Sequence, residues 1–314
     1  MGLNGVWTVV KNSRWYSSDM TVFSCLACFL YALGNKGSVV NGIIAFIGIL
    51  FAHMAANLFD DYSDYKILSK NPRAGEFTPE VKCAYLRKNL AGTGDLLFVI
   101  FLYCLIALGT GIILFFRAGD AVFWLAAAGG VIVFSYPVFS RIGLSEIAVG
   151  IAFGPLLFEG MYYVMTKSFS TGVLLLGMSI VMFTIGVMYI HTLLDYESDK
   201  VSSKRTLALK FKDKDSALKF SRFIYGAGYV FILCFAMIEK KYFCLSAFLS
   251  LPFVAALYKS AGAYSSPENY MRDDSYLAVL KGAAKVMALF AFLVSAGLFF
   301  HLFIDYFLTV PVVI

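Results

Sequence analysis

Apolar and polar positions in this chain segregate into long blocks rather than alternating residue by residue. Taking about 20 apolar residues as one bilayer crossing, the pattern predicts nine helices at approximately 20–33, 39–59, 95–116, 121–139, 144–165, 171–194, 223–238, 242–258 and 284–308. Three longer polar segments, 60–94, 195–222 and 259–283, interrupt the series. The expected fold is therefore all-α: a polytopic membrane protein with nine transmembrane helices in a bundle, a cytosolic cap of loops, and one domain spanning 1–314. The polar stretch Lys70-Asn71-Pro72-Arg73-Ala74-Gly75 is the expected centre of that cap.

Composition supports the membrane assignment. The 314 residues are 60% hydrophobic, 17% aromatic and 15% charged. A soluble chain of that make-up would leave too much apolar surface in water. The formal charge of +6 is a topology signal. With the N-terminus cytosolic, 21 of the 26 Lys and Arg residues fall in cytosolic segments and five outside, as the positive-inside rule requires. The basic residues are spread over membrane loops without a separate basic domain, so nucleic acid is not an expected partner. No cleavable signal is expected from the opening residues. Cys25 and Cys28 form a C-x-x-C inside an apolar run with no second pair, which predicts buried structural thiols.

Two polar clusters stand out against this background. The second apolar run ends in Asn57-Leu-Phe-Asp60-Asp61-Tyr-Ser-Asp64, and the sixth in His191-Thr-Leu-Leu-Asp195-Tyr-Glu197-Ser-Asp199-Lys200. On a helix Asn57, Asp61 and Asp64 share one face, as do Asp195 and Asp199. Carboxylates and an amide oxygen at that spacing suit a hard divalent cation such as Mg²⁺. One such cluster is ordinarily a solvated helix end; two with matched spacing on the same predicted side of the membrane argue for a site. Asp60 points off the main stripe and is a further candidate. His53, one turn before Asn57, reads as a packed, hydrogen-bonded histidine. Glu159 is an unexplained carboxylate deep in the fifth apolar run, and Gly154-Pro155 in the same run predicts a kink.

These motifs resemble the UbiA superfamily of intramembrane prenyltransferases. The resemblance is nearest to its branch that prenylates 1,4-dihydroxy-2-naphthoate in menaquinone and vitamin K2 synthesis. It rests on Asn57 to Asp64, on Asp195 to Lys200 followed by Lys204-Arg205-Thr206-Leu207-Ala208, on Phe134-Ser135-Tyr136, and on Gly143-Leu-Ser-Glu146 through Phe153-Gly154-Pro155. It spans roughly 39–208. His191 stands where the family carries Asn, and Ser13-Arg14-Trp15-Tyr16 occupies the region of an early Arg-Pro-x-Thr-like element.

The resemblance implies Mg²⁺-dependent transfer of a prenyl group from a polyprenyl diphosphate to an aromatic acceptor, within the lipid bilayer. Asn57, Asp61, Asp64, Asp195 and Asp199 would hold the metal, with His191 a further candidate. Lys66, Arg141, Lys200, Lys204 and Arg205 would hold phosphate oxygens. Asp61, Asp195 and Tyr136 would be catalytic, the Tyr136 ring face stabilising an allylic cation. Two other functions fit parts of the sequence: a terpene cyclase of the same superfamily, which ionises the diphosphate without an acceptor, and an ion-coupled secondary transporter.

Overall fold

The computed structural model describes residues 2–70, 83–201, 205–264 and 273–309. These form a helical bundle with no strand among the described residues. A short helix, α1 (Leu3–Lys11), precedes α2 (Ser18–Gly34), α3 (Val39–Lys70), α4 (Thr93–Ala118) and α5 (Ala121–Ile142). Then follow α6 (Ser145–Thr166), α7 (Thr171–Leu194), α8 (Lys214–Ile238), α9 (Tyr242–Tyr264) and α10 (Asp273–Thr309). Eight of these, α3 to α10, are long and apolar enough to cross a membrane. The ninth expected crossing is α2, whose 17 residues sit at the short end of the bilayer-spanning range.

The helices overrun the apolar blocks that predict them. α3 continues from Phe59 through Lys70, α8 begins at Lys214, and α10 begins at Asp273. A helix need not stop where the hydrocarbon does: Asp suits the first turn of α8 and α10, and Tyr62, Lys66, Leu68 and Lys70 carry α3 past its acids. The fifth run is one continuous path with a π-helical turn at Ala152–Leu156, which accommodates Pro155. α9 begins as a 3₁₀ segment, Tyr242–Ser250.

α7 is the central helix: two-thirds of its apolar window is buried, whereas almost all of α5 faces outward. α7 packs most extensively against α8 and also against α10, while α3 pairs with α4. Between apolar helices in lipid, close packing replaces the hydrophobic drive, so small residues let backbones approach. Gly177 is such a point, because a Cβ there would lie 2.7 Å from Phe158. In the core, Phe183 stacks on Phe290 with centroids 3.8 Å apart.

The two ends of the bundle differ. At one end Asn41 accepts from Arg117 Nε (2.6 Å), and Tyr31 donates to Glu239 (2.9 Å). Glu159 accepts from the Ser170 N–H (3.3 Å) at that same end, so it is separate from the acidic motifs. The other end gathers α1, the start of α2, the end of α3, and the segments after α5 and α7. There Ile142 and Arg205 form an isolated parallel bridge. The centre of the expected cap, 71–75, lies outside the described residues. Cys25 and Cys28 are buried free thiols, as expected.

Gly143 ends α5 with φ +75°, and a Cβ there would meet the Arg205 carbonyl oxygen at 2.9 Å. Gly129, inside α5, has nothing within 4 Å of the same position. Gly143→Ala is expected to cost about 1–2 kcal/mol from the left-handed backbone alone and to lower the thermal midpoint in detergent. Gly129→Ala should hold or raise it. Equal midpoints for the two variants would contradict this packing.

Candidate active site

The continuation of α3 to Lys70 keeps Asn57, Asp61 and Asp64 on one regular helical face. Asp61 is only 3% exposed, and a carboxylate that deep must be met by donors. Arg14 Nη2 donates to one of its oxygens and the Tyr85 hydroxyl to the other, at 3.0 Å. Arg14 Nη1 reaches Asp60 at 3.2 Å, so one guanidinium bridges the two adjacent acids. Arg14 is delivered by a left-handed residue (φ 57°) at the junction of α1 and α2. Tyr85 comes from a short helical turn, Ala84–Arg87. Burial, reinforced by the Asp61 carboxylate, pushes the Tyr85 hydroxyl well above its ordinary range, so it remains a donor. Asn57 spends its amide hydrogen on Ser17 Oγ (2.9 Å) and keeps its carbonyl oxygen for another donor or a cation.

The second cluster is built alike. Asp195 caps α7, and Asp199 lies in the next short helix, Tyr196–Val201. The Asp199 N–H donates to the Asp195 carbonyl (2.8 Å), which preserves helical spacing across the junction. Both acids are buried. Asp195 accepts from the Tyr276 hydroxyl of α10 (3.1 Å), and its other oxygen lies 3.5 Å from His191 Nε2. Lys214, at the start of α8, is within electrostatic reach of Asp195 and Glu197.

Tyr136 and Glu146 join the two clusters. Tyr136 lies within electrostatic reach of Asp60, Asp64 and Glu146. Glu146, 4% exposed, accepts from Ser145 Oγ (2.9 Å) and from Thr192 Oγ1 (3.4 Å), one turn before Asp195's neighbour Tyr196. The acids of α3 and α7 thus belong to one end of the bundle, with Tyr136 beside the α3 acids and Glu146 against α7.

Other expected site residues fall elsewhere. Lys66 is exposed and sits over the Tyr62 ring (4.5 Å) on its own helix, away from the acidic stripe. Lys200 and Arg205 are exposed at the rim. Lys204 and the side chain of Arg141 lie outside what is described. Among the described residues, no three His, Cys, Asp or Glu side chains converge as a metal cage. Asp61, expected as the central ligand, gives both oxygens to protein donors. The donor set still fits a hard cation, since it is all oxygen, buried and acidic. The oxygens of that set come from Asn57, Asp60, Asp61 and Asp64 on α3 and from Asp195 and Asp199 at and beyond the end of α7.

Arg14, Tyr85, Glu146, Tyr276 and Lys214 were absent from the residues expected for the site. Glu146 carried a signal, as an acid beside the Phe-Gly-Pro element. Arg14 carried one too, as the basic residue in the early segment; the two tyrosines carried none.

Removing Arg14 leaves Asp60 and Asp61 without their counter-ion. Arg14→Ala should destabilise by on the order of 2 kcal/mol, below the roughly 3–5 of a sealed pair, because the Arg14 side chain is 22% exposed. Adding Asp61→Asn to that variant should recover part of the loss. Strictly additive losses in detergent thermal midpoints would show that the two groups are not coupled.

The UbiA prenyltransferase family model matches residues 21–272. No curated protein matches the chain. Among solved structures, an apo UbiA homologue from Aeropyrum pernix K1 superposes with a TM-score of 0.66 at 16% identity, covering 90% of this chain and 98% of that one. A digeranylgeranylglyceryl phosphate synthase gives 0.58 at 14% identity, covering 94% and 96%. A UbiA homologue from Archaeoglobus fulgidus bound to GPP and Mg²⁺ gives 0.52 at 12%, covering 89% and 99%. With the family model covering most of its length and the same helical fold in those structures, this chain belongs to the UbiA prenyltransferase family.

Proposed function

We propose that this enzyme transfers a prenyl group from a polyprenyl diphosphate to an oxygenated aromatic acceptor of the 1,4-dihydroxy-2-naphthoate type, with Mg²⁺ as cofactor. The observation that carries the reading is the presence of two buried acidic helix ends at one end of the bundle, linked through Tyr136 and Glu146, with Tyr136 near Asp60 and Asp64 and Glu146 meeting Thr192 of α7. A relative of the same fold is described as bound to GPP and Mg²⁺. Acids at a bundle end also argue against a secondary transporter, whose ion sites lie near the bilayer midplane.

Asn57, Asp60, Asp61 and Asp64 with Asp195 and Asp199 would hold Mg²⁺, which when bound supplies charge neutralisation for the diphosphate leaving group. Arg14 offsets part of the carboxylate charge, so that the site accepts an anion with its cations rather than repelling it. Lys214 and the rim residues Lys200 and Arg205 add positive charge. The C1–O bond breaks with its electron pair leaving on diphosphate. The Tyr136 ring then faces the allylic cation through its π-cloud, and a ring carbon of the acceptor supplies the pair for the new C–C bond. Loss of a proton, or of carboxylate as CO₂, restores aromaticity. The surrounding apolar helices exclude water that would otherwise capture the cation.

Diphosphate release from a prenyl diphosphate, with and without 1,4-dihydroxy-2-naphthoate, tests this. Release is expected only with acceptor and Mg²⁺, to stop with EDTA, and to fall about 100-fold or more in Asp195→Asn. Equal release without acceptor, accompanied by a cyclic terpene in the organic extract, would replace transfer by cyclisation.

In a cysteine-free background, single cysteines at Ser69 and Lys200 are expected to react with an impermeant maleimide from the cytosolic face. One at Lys167 should react from the opposite face. Labelling of Ser69 and Lys200 from different faces would separate the clusters.

A further inference from the structure

His53 continues the acidic stripe inward. It precedes Asn57 by one turn and Asp61 by two on α3, so it stands about 6 Å deeper in the bundle than Asn57 on the same face. Two neighbours fix its ring. Nδ1 lies 2.7 Å from Thr21 Oγ1 of α2. Phe153, in the π-helical turn of α6, packs edge to face with centroids 5.0 Å apart and planes at 87°. Thr21 is fully buried, as are the next residues Met54 and Ala55. His53, although deeply enclosed, keeps accessible surface. Its Nε2 has no protein partner among the described residues.

The hydrogen-bond inventory assigns the ring hydrogen. The 2.7 Å contact lets either atom donate; among the described residues Thr21's one hydroxyl hydrogen has no other acceptor, so we take the hydroxyl as donor to Nδ1. With Nδ1 accepting, the ring hydrogen lies on Nε2, and a protonated ring carries one there as well. Nε2 is then a donor. A histidine retained for packing alone would ordinarily satisfy both nitrogens within the protein. Here one is paired with a buried hydroxyl, and the other has no partner among the described residues.

We propose that His53 is an acceptor-binding residue: Nε2–H donates to a hydroxyl or carboxylate oxygen of the aromatic acceptor, and Thr21 positions the imidazole. A diphosphate held by the acids would begin its carbon chain one turn inward, which is where the ring oxygen beside His53 would set the attacking carbon. This inference rests on the transferase reading above and identifies the acceptor's recognition element as an oxygen acceptor.

The test is steady-state kinetics on the purified full chain with Mg²⁺, varying 1,4-dihydroxy-2-naphthoate at saturating prenyl diphosphate and then the reverse. His53→Ala should raise the acceptor KM about 10-fold or more, the worth of one hydrogen bond to a charged or strongly polar oxygen. The prenyl diphosphate KM should stay within about twofold. His53→Gln, whose side-chain amide can also donate, should recover much of the loss. Thr21→Val should raise the acceptor KM by less than His53→Ala. An unchanged acceptor KM in His53→Ala, or equal losses toward both substrates, would overturn the assignment. Should His53→Ala fail to fold, His53→Gln and Thr21→Val decide it by the same split. Wild-type diphosphate release that ignores the acceptor would instead overturn the transferase reading, and this assignment with it; the wild-type control separates the two failures.

Discussion

A carboxylate at the end of a membrane-spanning helix must either reach water or be met by donors from the protein. Asp61 is met, by Arg14 from the α1–α2 junction and Tyr85 from the turn before α4. That requirement ties three separate parts of the chain into one corner of the bundle. The apolar contacts there follow the same seam, with Val9, Leu58, Tyr85, Leu86 and Leu96 in one cluster. Asp195 does the equivalent work on the other side, drawing Tyr276 of α10 against the end of α7. The acids are therefore structural as well as chemical, and the helices that carry them cannot separate without stranding a buried charge.

The same arrangement bears on ligand binding. Three carboxylates on α3 with one arginine leave net negative charge, which suits a divalent cation but would repel a bare diphosphate. In the proposed reading, a metal–diphosphate complex would resolve that conflict. Tyr136 lies within reach of the α3 acids and of Glu146, which in turn meets Thr192 on α7. One turn inward from Asn57 on α3, His53 packs against Phe153 of α6.

Much of this was legible in the sequence, and the rest was hidden for identifiable reasons. Apolar block length gave the all-helical bundle and eight of its nine expected crossings, the remaining one being the 17-residue α2, because the bilayer fixes the length of a crossing. Helix ends were less legible, since charged residues between Phe59 and Lys70 continue α3 without a compositional break. The acids were legible through spacing and resemblance. Their partners were not: Arg14 and Asp61 are 47 residues apart, and Tyr276 and Asp195 are 81 apart. Nothing local in the sequence marks a pair chosen by tertiary packing. Lys66 shows the converse: the resemblance implied that it holds phosphate oxygens, while its side chain lies over Tyr62 on its own helix.

The central claim is that both acidic clusters act together on one metal–diphosphate. Its most direct test is binding of a non-hydrolysable prenyl thiodiphosphate with Mn²⁺, followed by the electron paramagnetic resonance of the bound cation. Wild-type protein should bind the analogue only with the cation, and Asp64→Asn and Asp199→Asn should each weaken both signals by about 10-fold or more. Cation-independent binding, or undiminished binding in either variant, would contradict a site shared between the two helix ends.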